Sequence, residues 1–156
     1  MARFQEYIDV MTDAQTCYEQ WVCFEDFPRF MKHVRNLTPQ GSNQWHWVID
    51  GPLGKTIEWD AVMDGNEPNR IISWHSVGEN DIVAEGVMTF QEIAPNLTRI
   101  TSSIQFEAPA EPLGELIAEL FSNPSQMVKE DLRNFKQLME NSRFAAALGS
   151  SASLIY

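Results

Sequence analysis

The apolar residues change their spacing partway along the chain, and that change constrains the fold more than any other feature. Between Trp45 and Phe106 they recur at every second position. Trp45, Trp47 and Ile49 are interleaved with His46 and Val48; beyond Gly51-Pro52-Leu53-Gly54, the residues Ile57, Trp59, Ala61 and Met63 are interleaved with Glu58, Asp60 and Val62. Side chains of a strand alternate between faces, so each run predicts a strand with one dry and one wet side. Asp64-Gly65-Asn66-Glu67-Pro68-Asn69 carries the residue types of a turn. Ile72 and Trp74 then resume the alternation, as do Met88 with Phe90 and, past Ala94-Pro95-Asn96, Ile100, Ile104 and Phe106. Strands joined by such short turns make an antiparallel meander of about six or seven members.

After Pro112 the spacing becomes three and four. Met127, Val128, Leu132, Phe135, Leu138 and Met139 trace one stripe of a helix predicted over about 125–140, and Leu116, Ile117 and Leu120 give it a shorter helical lead-in. At the other end, Phe4, Ile8 and Val10 predict a strand over 3–10. Thr12 and Gln15 form a Thr-x-x-Gln capping box, and Ala14, Cys17, Tyr18 and Trp21 give the helix that it opens a buried stripe. A second short helix is expected from Glu25 to Met31, with Pro28 tolerated near its first turn. This order of elements is α+β, and the stripe of the long helix is wide enough to be gripped on one side by a curved sheet. From Ser142 the chain loses periodicity and becomes rich in Ala and Ser. Residues 1–142 are therefore expected to form the domain, and 143–156 a flexible tail or a segment that docks on a partner or neighbouring subunit.

Charge narrows the function. With 22 acidic against 11 basic residues the net charge is −11, a field that repels phosphate backbones and anionic headgroups. Nucleic acid is not an expected partner, and membrane contact is expected to be transient at most. No run reaches the ~18 apolar residues of a membrane-spanning helix, and the first residues lack the basic and apolar regions of a secretory leader, which points to the cytoplasm. Cys17 and Cys23 lie close together around the first helix. That position suits packed thiols in a reducing compartment better than a disulfide.

Two segments resemble a known family. Trp21-Val22-Cys23-Phe24-Glu25-Asp26-Phe27-Pro28-Arg29-Phe30-Met31 is similar to the W-x-x-F-x-x-F-P-x-F segment of the polyketide cyclase/dehydrase and coenzyme-Q-binding START-like branch of the SRPBCC superfamily. Gly51-Pro52-Leu53-Gly54-Lys55-Thr56-Ile57-Glu58-Trp59-Asp60-Ala61 resembles that branch's GPxGKxxEWDA strand, and smaller matches fall at 70–76, 86–90 and 131–136. The resemblance covers residues 3 to about 142 and implies a helix-grip (START/Bet v 1-like) fold with an interior cavity. Members carry sterols, quinones, lipids or aromatic polyketides, or act on them.

Strand parity then proposes the cavity wall. If Trp47 and Trp59 point inward, so do Trp45, Met63, Ile72, Trp74, Met88, Phe90, Ile104 and Phe106. Met127, Leu132 and Phe135 face them from the long helix, and Phe27, Phe30 and Met31 lie near the entrance. Such a surface on its own reads as plain core. A sheet curved around a single helical stripe, however, cannot fill its whole concave side, which favours a ligand-sized space with methionines that let the wall adapt.

Candidates for chemistry are few. Arg70 at the rim could bind a carbonyl, enolate or phosphate, or it could be a strand-end arginine pairing with Glu67. Ser76 and Ser102 share the inner face, and Tyr18 offers a phenol. Glu58 and Asp60 lie two apart, as paired carboxylates would, but parity turns them to solvent with Lys55 or Arg99 as partners. His46 and His75 fall on the outer face and His33 stands alone, so no metal is expected; nor is any cofactor, since there is no phosphate-cradling loop and Gly51 and Gly54 read as hairpin residues. The leading reading is binding or transport of a hydrophobic small molecule of lipid, quinone or polyketide type. The alternative is a cyclase or dehydratase that steers an enolate with Arg70, Ser76, Ser102 or Tyr18. A second alternative is a protein-interaction module with a collapsed cavity, contacting its partner through the acidic surface and the tail.

Overall fold

A computed structural model of the chain describes residues 2–51, 54–78, 83–107 and 123–147. Strand β1 (Ala2–Val10) leads to helix α1 (Ala14–Trp21) and a short 3₁₀ helix (Phe24–Arg29). Six strands follow: β2 (Val34–Pro39), β3 (Gln44–Asp50), β4 (Thr56–Glu67), β5 (Ile71–Val77), β6 (Val83–Ala94) and β7 (Leu97–Glu107). A long helix, α2 (Pro124–Ala147), is the last described element. The strands form one curled antiparallel sheet in the order β1-β7-β6-β5-β4-β3-β2, a meander closed by β1 returning to pair with β7. This is the α+β arrangement expected from the change of period, and the helix-grip fold that the family resemblance implies.

The sheet holds α2 against its concave face, and specific bonds hold the back half of α2 in place. Lys136 Nζ donates to the Asp9 carbonyl at 2.7 Å, and the Met11 amide donates to Glu140 Oε2 at 3.0 Å. On the same helix Leu132, Phe135 and Met139 are buried. The Phe135 ring meets Trp21 from α1 at 4.9 Å and Phe30 at 5.2 Å, edge-to-face contacts that add roughly 0.5–1.5 kcal/mol each beyond burial. Cys17 and Cys23 are free thiols, Cys17 buried and Cys23 partly so. Desolvation, then the Asp13 charge, pushes the Cys17 thiol up to about 12, which leaves it a packing group.

Several local expectations are corrected by the structure. The N-cap of α1 is Asp13, not Thr12: Asp13 is extended, and its carboxylate accepts the Thr16 amide at 3.3 Å. Thr12 is buried, and its carbonyl is used by Thr98 Oγ1 at 2.7 Å. The element expected over Glu25–Met31 is a 3₁₀ helix beginning at Phe24. Phe24, Phe27 and Phe30 are three residues apart, a spacing that lines up at 3.0 residues per turn, and all three are buried. Pro28 has no N–H to extend the ladder, and the helix stops after Arg29.

The turn expected at 64–69 is also shorter than its composition suggests. Strand β4 continues to Glu67 through a bulge between Met63 and Gly65, and the hairpin turns at Asn69, whose φ is 66°. One inserted residue reverses the facing of those beyond it. Asn66 rather than Gly65 therefore sits opposite Ile72 on the inner face, where the Tyr18 hydroxyl donates to Asn66 Oδ1. Helix α2 runs on to Ala147 instead of ending near Glu140, because Ala145, Ala146 and Ala147 are strong helix formers. The lead-in helix at Leu116, Ile117 and Leu120 and the tail beyond 147 lie outside the described residues.

Candidate ligand-binding cavity

Between the sheet and the front half of α2 lies a cavity of about 210 Å³. Its presence follows from what each element contributes. Trp47 and Trp59, paired across β3 and β4, stack with centroids 5.4 Å apart and planes within 6°. A flat double slab offers no knobs to interdigitate with a helix. Trp74 pairs with Gly86 across β5 and β6, and a β-carbon on Gly86 would lie 2.6 Å from the indole. The glycine thus lets this ring lie back against β6 instead of projecting inward. On the facing side, Met127, Val128 and Asp131 of α2 are only partly buried, whereas Phe135, one turn beyond Asp131, is wholly buried.

The size of the space decides what it admits. A dry cavity of about 150 Å³ accepts benzene, and drug-sized ligands occupy roughly 300–1,000 Å³. At about 210 Å³ the space suits a molecule of one or two rings, and anything larger requires the methionines Met31, Met63, Met88 and Met127 on the wall to move.

The residues proposed from parity divide into two groups. Trp45, Trp47, Trp59, Met63, Ile72, Trp74, Met88, Ile104 and Phe106 line the cavity, together with Phe27 and Met31 from the 3₁₀ region and Met127 and Leu132 from α2. Phe30, Phe90 and Phe135 do not. They belong to the solid aromatic cluster around Trp21 and Tyr18, where they are almost wholly buried. Parity tells which face a side chain takes but not how far along the cleft it sits.

Of the chemical candidates, only Ser102 is at the cavity. The Arg70 side chain is 74% exposed and pairs loosely with Glu67 at 3.7 Å, an arrangement worth about 0–1 kcal/mol. Ser76 Oγ accepts the Ala84 amide at 2.9 Å, and Tyr18 is engaged by Asn66 with its ring edge-on to Phe90 at 5.8 Å. Glu58 and Asp60 face outward as expected, but their partner is His46, whose Nδ1 lies 2.8 Å from Asp60 and whose Nε2 lies 2.9 Å from Glu58. The Glu58 bond, then the Asp60 bond, raises the His46 pKa above its ordinary value. Arg99 pairs with Asp9 instead, at 2.8 and 3.0 Å. Among the described residues no cluster of His, Cys, Asp and Glu could hold a metal, and no helix is long and apolar enough to cross a membrane.

Two polar residues at the cavity were not placed there from the sequence. One is His33, just ahead of β2. The other is Asp131, whose Oδ1 is buried without a hydrogen-bond partner among the described residues. Desolvation, then the charge of Glu130, pushes the Asp131 pKa up to about 7 against the opposing effect of Lys32. Its signal was present in the spacing: Asp131 lies four residues after Met127 and four before Phe135, inside the apolar stripe. The indole Nε1 atoms of Trp45 and Trp59, also wall residues, are likewise buried and unpaired.

Comparison with known proteins agrees with this fold. A family model described as polyketide cyclase/dehydrase and lipid transport matches residues 10–133. An uncharacterised 17.2 kDa protein of Streptomyces lincolnensis is 28% identical over 140 residues, covering 90% of this chain and 91% of that one. The fold is similar to that of a START superfamily protein from Mycobacterium smegmatis, with a TM-score of 0.73 at 12% identity over 89% of this chain and 97% of that one. It is also similar to the Zhui aromatase/cyclase from Streptomyces sp. R1128, with a TM-score of 0.72 at 12% identity over 89% and 93% of the two chains.

Proposed function

The chain belongs to the polyketide cyclase/dehydrase and lipid transport family, and from that premise we propose that it binds a small hydrophobic molecule in the cavity between the sheet and the front half of α2. The observation that carries this reading is the cavity itself: about 210 Å³ left open beside an aromatic cluster packed solid by the same helix. An unfilled apolar space weakens a fold by forfeiting dispersion contacts, and a ligand restores them. Roughly 0.8 kcal/mol per buried methylene gives a ten-carbon bicycle about 8 kcal/mol, from which association subtracts at least about 4. The remainder, about 4 kcal/mol, corresponds to a dissociation constant near a millimolar for a simple bicyclic hydrocarbon.

Catalysis is the weaker reading for this chain. Arg70, Ser76 and Tyr18 stand away from the cavity or are engaged elsewhere, and polarising a carbonyl requires donors aimed into a dry site. The test of the binding reading is native mass spectrometry of freshly purified protein, followed by organic extraction and titration with tetralin. A reproducible small apolar adduct, or saturable tetralin binding, is expected. Protein that is ligand-free and does not take up tetralin rules the reading out.

A further inference from the structure

Among the described residues, three buried side-chain atoms have no hydrogen-bond partner, and all three belong to residues that line the cavity: Nε1 of Trp45, Nε1 of Trp59 and Oδ1 of Asp131. Native interiors leave few such groups unpaired, and each one asks for an explanation. These three are confined to residues that line a single space. An indole N–H can only donate, and a neutral carboxyl donates its O–H. In the neutral form of Asp131 all three can therefore be satisfied by one kind of group, an acceptor oxygen.

We infer that Asp131 is a ligand contact, and that the molecule it selects is a neutral ring compound bearing a carbonyl oxygen in preference to an acyl chain or a fatty-acid carboxylate; this rests on the cavity being a binding site. A hydrocarbon chain leaves all three groups unpaired. A carboxylate meets Asp131, the adjacent Glu130 and a chain of net charge −11. Burial and Glu130 raise Asp131 to about 7, so the acid is largely neutral below neutrality and donates there. The charges that act on Asp131 are those of Glu130 and Lys32, bridged to each other at 2.9 Å, and among the described residues His33, ahead of β2, is the other titratable group on the cavity wall. The Asp131 oxygen is hydrogen-bonded to none of them.

The experiment is calorimetric titration at pH 6 and pH 8 with 1-tetralone, with tetralin, its parent hydrocarbon, and with octanoate. Wild-type protein at pH 6 is expected to bind 1-tetralone about tenfold more tightly than tetralin, a difference of about 1.4 kcal/mol, and octanoate least. The preference for the ketone should shrink several-fold at pH 8, as Asp131 ionises. In Asp131→Leu the preference should fall and lose its pH dependence while tetralin binding persists. Asp131→Asn supplies a permanent N–H donor, so it should keep the preference at both pH values. His33 is unchanged in both variants, so only the pH response that they abolish belongs to Asp131. Equal binding of ketone and hydrocarbon by the wild type, or an undiminished preference in Asp131→Leu, overturns this inference and leaves the cavity reading intact. Failure of all three probes to bind removes both.

Discussion

The two halves of α2 carry the same apolar period but meet different neighbours. From its middle onward, Phe135 and Met139 are buried, with Phe135 set against the rings of Trp21 and Phe30, which pack edge-on and tilted at 4.9–5.3 Å. Toward its N-terminal end, Met127, Val128 and Asp131 face the flat Trp47–Trp59 stack across open space. One half is a core and the other a container. The difference lies in the opposing surface, because rings set at angles interlock with a helix and rings lying parallel do not.

Substitutions can break or sharpen that division. The largest effect is expected from Phe135→Ala in the solid half, a loss of about 3–5 kcal/mol in urea unfolding, against less than about 2 kcal/mol for Met127→Ala in the hollow half; equal losses would erase the distinction. Next is Asp131→Asn. The folded carboxyl, at about 7 against 3.8 as the ordinary value, holds its proton more tightly than the unfolded one. The stability tied to its neutral form is complete below 3.8 and is lost as pH rises through about 7. The variant should therefore exceed wild type by at most roughly 4 kcal/mol at pH 8, narrowing to roughly 2 kcal/mol at pH 5.5, read as a pH-dependent difference in melting temperature. A constant difference would mean that Asp131 is not buried as described.

Gly86→Ala drives the Trp74 ring toward the void, at a cost of about 1–2 kcal/mol for the forced repacking. The sharper readout is tetralin affinity, which should fall because the space shrinks; unchanged affinity would place Trp74 off the wall. The smallest effect belongs to the outer face. His46→Gln removes the clasp of Glu58 and Asp60 and should cost less than about 1 kcal/mol. Because those carboxylates raise the His46 pKa, their stabilisation is complete below its ordinary value of 6.5 and fades as pH rises through the raised one. Ligand binding should not change.

Much of this layout is legible in the sequence, for a physical reason. Period-two spacing assigns Trp45, Trp47 and Trp59 to one face without knowledge of the sheet, and family resemblance adds the curvature that makes that face concave. The bulge after Met63 is not legible, because an extra residue is recognised only against its partner strand, and composition made the segment look like a turn. The separation of Phe30, Phe90 and Phe135 from the cavity depends on position along the cleft, a tertiary property. Asp131 was legible by position but not by consequence. A carboxylate within an apolar stripe is visible from spacing alone, whereas the lack of a partner for its oxygen emerges only when every neighbour is in place.

The space beneath the tryptophan stack has a mechanical consequence. Internal void is eliminated when a chain unfolds, so the empty protein occupies more volume folded than its atoms require, and hydrostatic pressure favours the denatured state accordingly. A molecule lodged under the indoles takes up that slack. Occupancy should therefore register as resistance to compression, in a protein whose solid half barely responds.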